Sequence, residues 1–277
     1  MRIVVCIKQV PDTAEVKIDP ETNNLVRQGI PSIMNPFDYT ALAEALRLKR
    51  ENGGTITVIS MGPEQVKKEL KMCLKMGADR AVLLSDRKLG GADTLATGYA
   101  LAEAIKKIGG DLILCGNEAI DGCTGQVGPM IGEYLNIPAF TYVTGLQMDK
   151  NRLKISRKTE CSQEVYTCSL PAAACMLKGG EELKEQETDR EIEVWNADFL
   201  DPGRIGSAGS PTKVAGISVS EREKNFLHVD YRWDLETRME YIFNGGLSVK
   251  ETKIQRGSAR MLAAKILGEG WVKYDQV

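Results

Sequence analysis

Short apolar runs alternate with longer helical patterns through the first half of this chain, and that alternation restricts the fold more than any other feature. Residues 2–7, 55–61, 80–84 and 111–115 read as strands. Between them, 39–51, 64–76 and 94–107 carry apolar residues at helical spacing. The first of these aligns Leu42, Ala45, Leu46 and Leu48 and stops at Asn52-Gly53-Gly54. The second follows Pro63 and ends at Gly77, and Asp93 stands where the third would take its N-cap. Strands joined by helical crossovers form a parallel sheet covered on both faces, so the expected class is α/β with a Rossmann-like core. In such sheets ligands lie beyond the carboxyl ends of the strands. Segments 6–12, 60–63, 85–93 and 116–126 should therefore converge on one site.

The pattern changes after residue 139. Residues 141–148, 153–158, 164–169 and 172–176 read as additional strands, partly a meander. Residues 179–193 are acidic and apolar-poor, as in a loop or exposed arm, and Val194-Trp195 begins something ordered again. A Gly/Ser/Pro-rich traverse follows over 202–211, then a strand-like run at 213–219 and helical patterns at 231–243 and 256–267. The expected organisation is an α/β domain over 1–178, an acidic loop and arm over 179–219, and a helical C-terminal extension over 220–277.

The net charge of −2 over 277 residues gives no basic excess for nucleic acid and no Lys/Arg block for a membrane surface. No run of eighteen apolar residues is present, so no membrane insertion is expected. The first apolar run is interrupted by Lys8 and reads as a strand rather than a signal peptide, which points to a cytoplasmic protein. Seven cysteines include no C-x-x-C pair, and the single histidine, His228, sits in polar sequence. Reduced thiols account for this better than a zinc or iron–sulfur centre. Hydrolytic signatures are missing, so the chemistry is expected to reside in a bound cofactor.

The segment Asp121-Gly122-Cys123-Thr124-Gly125-Gln126-Val127-Gly128-Pro129 lies between the fourth strand and a helical pattern over 126–135. A strand, a glycine-rich turn and a helix start make a phosphate cradle, because free N–H groups of the first turn face the anion. Glycines every third residue also fit a helix packed tightly through small residues. Asn35-Pro36-Phe37-Asp38 offers either a capped turn or contacts to a ligand amide or ribose. Asp93 and Thr94 suit a helix start, whereas Thr97, on the same face as Thr94, is not explained by capping and could face a phosphate or a flavin edge.

Taken together, Val5-Cys6-Ile7-Lys8-Gln9-Val10-Pro11-Asp12, Met34-Asn35-Pro36-Phe37-Asp38, Met61-Gly62-Pro63, Ala119-Ile120-Asp121-Gly122 and Gln126-Val127-Gly128-Pro129 resemble the β subunit of electron-transfer flavoproteins. The resemblance covers about residues 1–178, with Val194-Trp195-Asn196-Ala197-Asp198 and Gly209-Ser210-Pro211-Thr212 also similar. It implies an adenine-nucleotide α-hydrolase-like fold that binds AMP or FAD and pairs with an α subunit carrying its own FAD. It carries nucleotide contacts onto Cys6, Asn35, Pro36, Phe37, Asp38, Met61, and Asn117 with Asp121 through Gly128. Asp93-Thr94-Leu95-Ala96-Thr97 and Asp121-Gly122-Cys123-Thr124 resemble the electron-bifurcating subdivision of the family, which implies FAD here, with AMP as the alternative. The same subdivision implies NADH as hydride donor and ferredoxin or flavodoxin as low-potential acceptor. The chain departs from the family at Lys178-Gly179-Gly180-Glu181-Glu182, where an Asn-Glu-Pro-Arg-Tyr-Pro stretch that docks a dehydrogenase is usual, so that partner is of unknown type. Tyr231, Trp233, Tyr241 and Phe243 in the extension fit either a contact surface or packing within the chain. A stand-alone nucleotide-binding sensor protein is the remaining alternative.

Overall fold

Strands buried on both faces have no room for a polar alternation, and the apolar runs behave accordingly. The computed structural model describes residues 1–12, 32–150, 152–180, 182–213 and 232–243. The chain forms β1 (Arg2–Cys6), β2 (Gln9–Pro11), β3 (Ser32–Met34), α1 (Pro36–Asn52), β4 (Thr55–Met61), α2 (Lys67–Lys75), β5 (Arg80–Leu84) and α3 (Thr94–Ile108). It continues with β6 (Leu112–Gly116), α4 (Val127–Leu135), β7 (Ala139–Asp149), β8 (Arg152–Lys158), β9 (Gln163–Ser169), β10 (Ala172–Met176), β11 (Ile192–Trp195), α5 (Gly206–Gly209) and α6 (Leu235–Phe243).

Nine strands make one sheet in the order β11-β5-β4-β1-β6-β10-β7-β8-β9. All pairings from β11 to β7 are parallel, and β8 and β9 continue the sheet as an antiparallel meander. From β1 the chain steps outward through α1 to β4 and α2 to β5. It then returns through α3 to β6, on the opposite side of β1. That reversal opens a crevice at the carboxyl ends of β1 and β6, where doubly wound sheets bind ligands.

Alternate residues of each strand feed two cores. Ile3, Val5 and Ile7 pack with Leu42, Ala45, Leu48, Leu70 and Leu74 of α1 and α2. Val4 and Cys6 pack with Tyr99, Leu101, Ile105 and Ile131 of α3 and α4. The mostly parallel sheet with flanking helices is the expected α/β class.

Several boundaries differ from the periodicity. α1 starts at Pro36 rather than Tyr39, because proline's fixed φ suits the first helical position. The pattern at 64–76 splits into a 3-10 turn at Glu64–Val66 and α2. The arm expected over 179–193 ends earlier, since Ile192 and Glu193 already belong to edge strand β11 beside β5. The traverse at 202–211 contains a 3-10 turn at Pro202–Arg204 and the short α5. Strands β2 and β3, which the sequence did not announce, form a separate antiparallel ribbon.

The chain divides into two units, Met1–Ser218 and Val219–Val277. Within the second, Trp233 and Tyr241 meet edge-to-face with ring centroids 5.2 Å apart. The strand-like run at 214–219, the helical pattern at 256–267, His228 and Tyr231 lie outside the described residues. Among the described residues no helix is long and apolar enough to cross a membrane.

Candidate functional site

The crevice is held together by one buried carboxylate. Asp38, in the first turn of α1, accepts the Lys8 N–H at 2.7 Å and the Gly116 N–H at 2.9 Å, one on each oxygen. It thereby ties the ends of β1 and β6 across the switch point. Gly116 must be glycine for this contact, because a Cβ there would fall 2.3 Å from Asp38 Oδ1 and 2.7 Å from Phe37 Cβ. Burial pushes the Asp38 carboxyl up to about 7, against the pull of its N–H donors.

A carboxyl raised from its ordinary 3.8 binds its proton more tightly when folded. Its contribution to stability is full below that value and is lost as pH rises through about 7. Asp38→Asn is expected to remove that pH dependence. It also turns an NH2 donor toward a backbone N–H, lowering stability by about 1–3 kcal/mol at acidic pH. Urea unfolding of both proteins across the interval checks the two effects separately.

Asn35 sits at the N-cap position of α1 yet makes no capping bond. Its side chain reaches the neighbouring loop instead: Nδ2 donates to the Glu118 carbonyl at 2.8 Å, and Oδ1 accepts the Ile120 N–H at 3.3 Å. The capped-turn reading of Asn35 and Asp38 is therefore replaced by long-range bracing. Asn117, buried just beyond β6, takes the Met176 carbonyl with its N–H and accepts the Tyr142 N–H on Oδ1 at 2.8 Å. Pro36 and Phe37 lie half-buried in the first turn of α1, with Phe37 against Gly116.

The glycine-rich segment resolves into two kinds of glycine. Gly128 packs α4 onto the sheet, because an added Cβ would lie 2.2 Å from Cys175 Sγ. Gly132, one turn later, has Ala139 Cβ at 2.6 Å by the same measure. Gly122 has nothing within 4 Å, and Gly125, at φ +62°, meets only the Asn117 carbonyl at 3.5 Å. The close-packing reading thus holds for the helix and leaves the loop glycines unexplained by packing. Cys123 also has a left-handed backbone, with φ 50°, and its N–H bonds the Ala119 carbonyl. The N–H groups of Thr124, Gly125, Gln126 and Val127 have no acceptor among the described residues, and α4 has no side-chain cap. Four bare amides over an open, glycine-lined turn suit an anionic group such as phosphate.

The neighbouring helix start is different. Asp93 caps α3 by accepting the Ala96 N–H at 3.0 Å, and its other oxygen accepts the Thr212 N–H at 3.1 Å. Thr94 Oγ1 donates to Gln126 Oε1 at 2.7 Å, linking the starts of α3 and α4. Thr97 is half-buried in the first turns of α3. Cys6 ends β1, and Met61 and Val127 pack against the same apolar cluster as Cys6. Cys115 and Cys175 complete a row of thiols across β1, β6 and β10. Cys115 is held well above the ordinary thiol range by its bond with Cys6 and by burial, and Cys175 by burial.

Two further residues shape the crevice and lie outside the sequence-predicted set. Gly116 makes room for Asp38, and Lys8 binds both oxygens of Asp121 at 2.6 and 2.8 Å. The run Val5-Cys6-Ile7-Lys8 marked the place, but nothing local distinguishes a strand-end lysine from a solvated one.

Comparison with known proteins places this geometry in context. The electron transfer flavoprotein domain model matches residues 22–200. The chain is 48% identical over 230 residues to the electron transfer flavoprotein subunit beta of Clostridium acetobutylicum, covering 80% of this chain and 89% of the relative. It is 45% identical over 228 residues to the caffeyl-CoA reductase-Etf complex subunit CarD of Acetobacterium woodii, covering 77% and 86%. It is 42% identical over 234 residues to protein FixA of Azotobacter vinelandii, covering 78% and 83%.

Proposed function

The chain belongs to the electron transfer flavoprotein family as a β subunit, and from that premise we propose that it works in a cytoplasmic heterodimer, holding FAD in the crevice between β1 and β6. The observation that carries the reading is the set of bare amides at 124–127, over glycines that packing does not require, at the reversal point of the sheet. The turn is open where phosphate oxygens would approach, so the residues present fit the group. When bound there, FAD supplies the capacity to take a hydride from NADH and to pass electrons to the α-subunit FAD and to ferredoxin or flavodoxin.

The chain's own part is binding and orientation. The amides of 124–127 and the positive end of α4 receive the phosphates. The Asp38 and Asn35 bridges hold β1, α1 and the β6–α4 loop in one geometry, which keeps those amides aligned. Thr94 occupies the carbonyl end of Gln126 and leaves its NH2 group free to donate to the ligand. The resemblance of Asp93-Thr94-Leu95-Ala96-Thr97 to the electron-bifurcating subdivision supports FAD over AMP.

Flavin counting tests the assignment. Native heterodimer should release two flavins per pair; one flavin with one AMP would reassign the crevice to a structural ligand, and no nucleotide would refute the reading. A labelling experiment locates the ligand on this chain. Cys123 in the loop and Cys161 in the β8–β9 turn are both exposed. Saturating nucleotide is expected to slow iodoacetamide labelling of Cys123 by about tenfold and leave Cys161 unchanged. Equal rates with and without nucleotide would place the ligand elsewhere.

A further inference from the structure

We propose that Lys8 binds a phosphate of the nucleotide and that Asp121 is an internal anion which holds the lysine until the phosphate displaces it. This rests on the nucleotide reading above and adds a recognition device to it. Asp121 engages two donors of the kind a phosphate uses. Its oxygens accept the Lys8 ammonium at 2.6 and 2.8 Å, and one of them accepts the Gly122 N–H at 2.8 Å. A cation and a glycine-loop amide converging on one carboxylate have the composition of a phosphate-binding pair.

The root of the lysine is fixed where the ligand must lie. The Lys8 N–H is bound by Asp38 and its carbonyl accepts the Asn35 N–H at 2.9 Å, so the stem leaves β1 at the mouth of the crevice. The loop with the four bare amides begins at the residue that holds its ammonium group. The pair itself is weakly committed. The two side chains are 51% and 33% exposed, and ion pairs so exposed exchange readily. A phosphate brings more charge and more acceptor oxygens than the carboxylate, and it can engage the neighbouring amides as well.

Exchange has a signature that a merely structural ion pair lacks. If Asp121 only stabilised the loop, removing either partner would weaken binding alike. If Asp121 competes with the ligand, neutralising it should strengthen binding while removing the lysine should weaken it, and the first effect should require the second residue.

Isothermal titration of the nucleotide-free full-length chain with AMP, FAD and adenosine tests this. Lys8→Met is expected to weaken AMP and FAD by about tenfold, the loss of one charge-assisted bond, and to leave adenosine unchanged. Asp121→Asn is expected to tighten AMP and FAD by roughly threefold, and to lose most of that gain in the Lys8→Met background. A Lys8→Met effect on both ligands assigns the contact to the adenosine-side phosphate; an effect on FAD alone assigns it to the flavin-side phosphate. Unchanged AMP and FAD affinity in Lys8→Met, or weakening in Asp121→Asn, overturns the exchange while wild-type binding and its loss in Gly125→Arg keep the site. Wild-type affinity in Gly125→Arg, or no binding of either nucleotide by the wild type, overturns the site itself.

Discussion

Gly125→Arg is expected to strip the chain of nucleotide while leaving its fold in place. The added Cβ meets only the Asn117 carbonyl, at an ordinary contact distance of 3.5 Å. Its left-handed backbone, φ +62°, costs a non-glycine residue roughly 1 kcal/mol, which a chain with two well-formed cores tolerates. The arginine side chain, however, occupies the open turn beside the bare amides of 124–127. Affinity should fall on the order of a hundredfold or more, about 3 kcal/mol, so that purified protein carries no nucleotide. Gly125→Ala shares the backbone strain without the bulk and should retain most of it. Circular dichroism verifies the fold, and absorbance of the released nucleotide gives the occupancy; a fully loaded Gly125→Arg protein would remove the loop from the site.

Gly128→Val should do the opposite. Its Cβ would stand 2.2 Å from Cys175 Sγ and 3.5 Å from Cys115 Cβ, so α4 must lift off β10. Overpacking of this kind costs about 1–3 kcal/mol, and the helix it displaces carries the cradle. A fall of roughly 2–6 °C in melting temperature is expected, with nucleotide loss as a secondary effect. Adding Cys175→Ala removes the sulfur that the new side chain strikes and should restore part of the stability. A Gly128→Val protein that melts with the wild type would mean that α4 does not rest on these strands. The two variants together separate the glycine that serves the ligand from the glycine that serves the core.

That separation was not legible in the sequence, where the glycines at 122, 125 and 128 follow one spacing. Spacing reports periodicity; whether a residue faces a sulfur or open solvent is decided by a strand nearly fifty residues later, at Cys175. The core strands were legible because burial on both faces writes itself as a continuous apolar run, as in residues 112–115 and Ala172–Met176. The ribbon of β2 and β3 was hidden because each strand has three residues, too few for any alternation to register. Asn35 and Asp38 looked like caps because those residue types cap locally, yet their partners lie at Glu118 and Gly116, across the crevice. Lys8 carries no local signal of its contact, since its partner Asp121 is 113 positions away.

The family was readable from the same stretches that build the crevice, and the electron transfer flavoprotein domain match agrees with that reading. On the proposed reading the carrier chemistry is one step removed, because it would belong to a cofactor held mostly by main-chain N–H, a group common to nearly every residue. Such recognition would leave its trace as glycine and left-handed turns, of which Cys123 and Gly125 are the instances in this loop, rather than as distinctive side chains.

A crystal structure of the heterodimer purified with its native ligands tests the central claim most directly. The account predicts phosphate density within hydrogen-bond distance of the main-chain nitrogens of Thr124, Gly125, Gln126 and Val127, with the Lys8 ammonium turned from Asp121 toward it. Those nitrogens bonded to side chains of this same chain, with the nucleotide bound elsewhere, would contradict it.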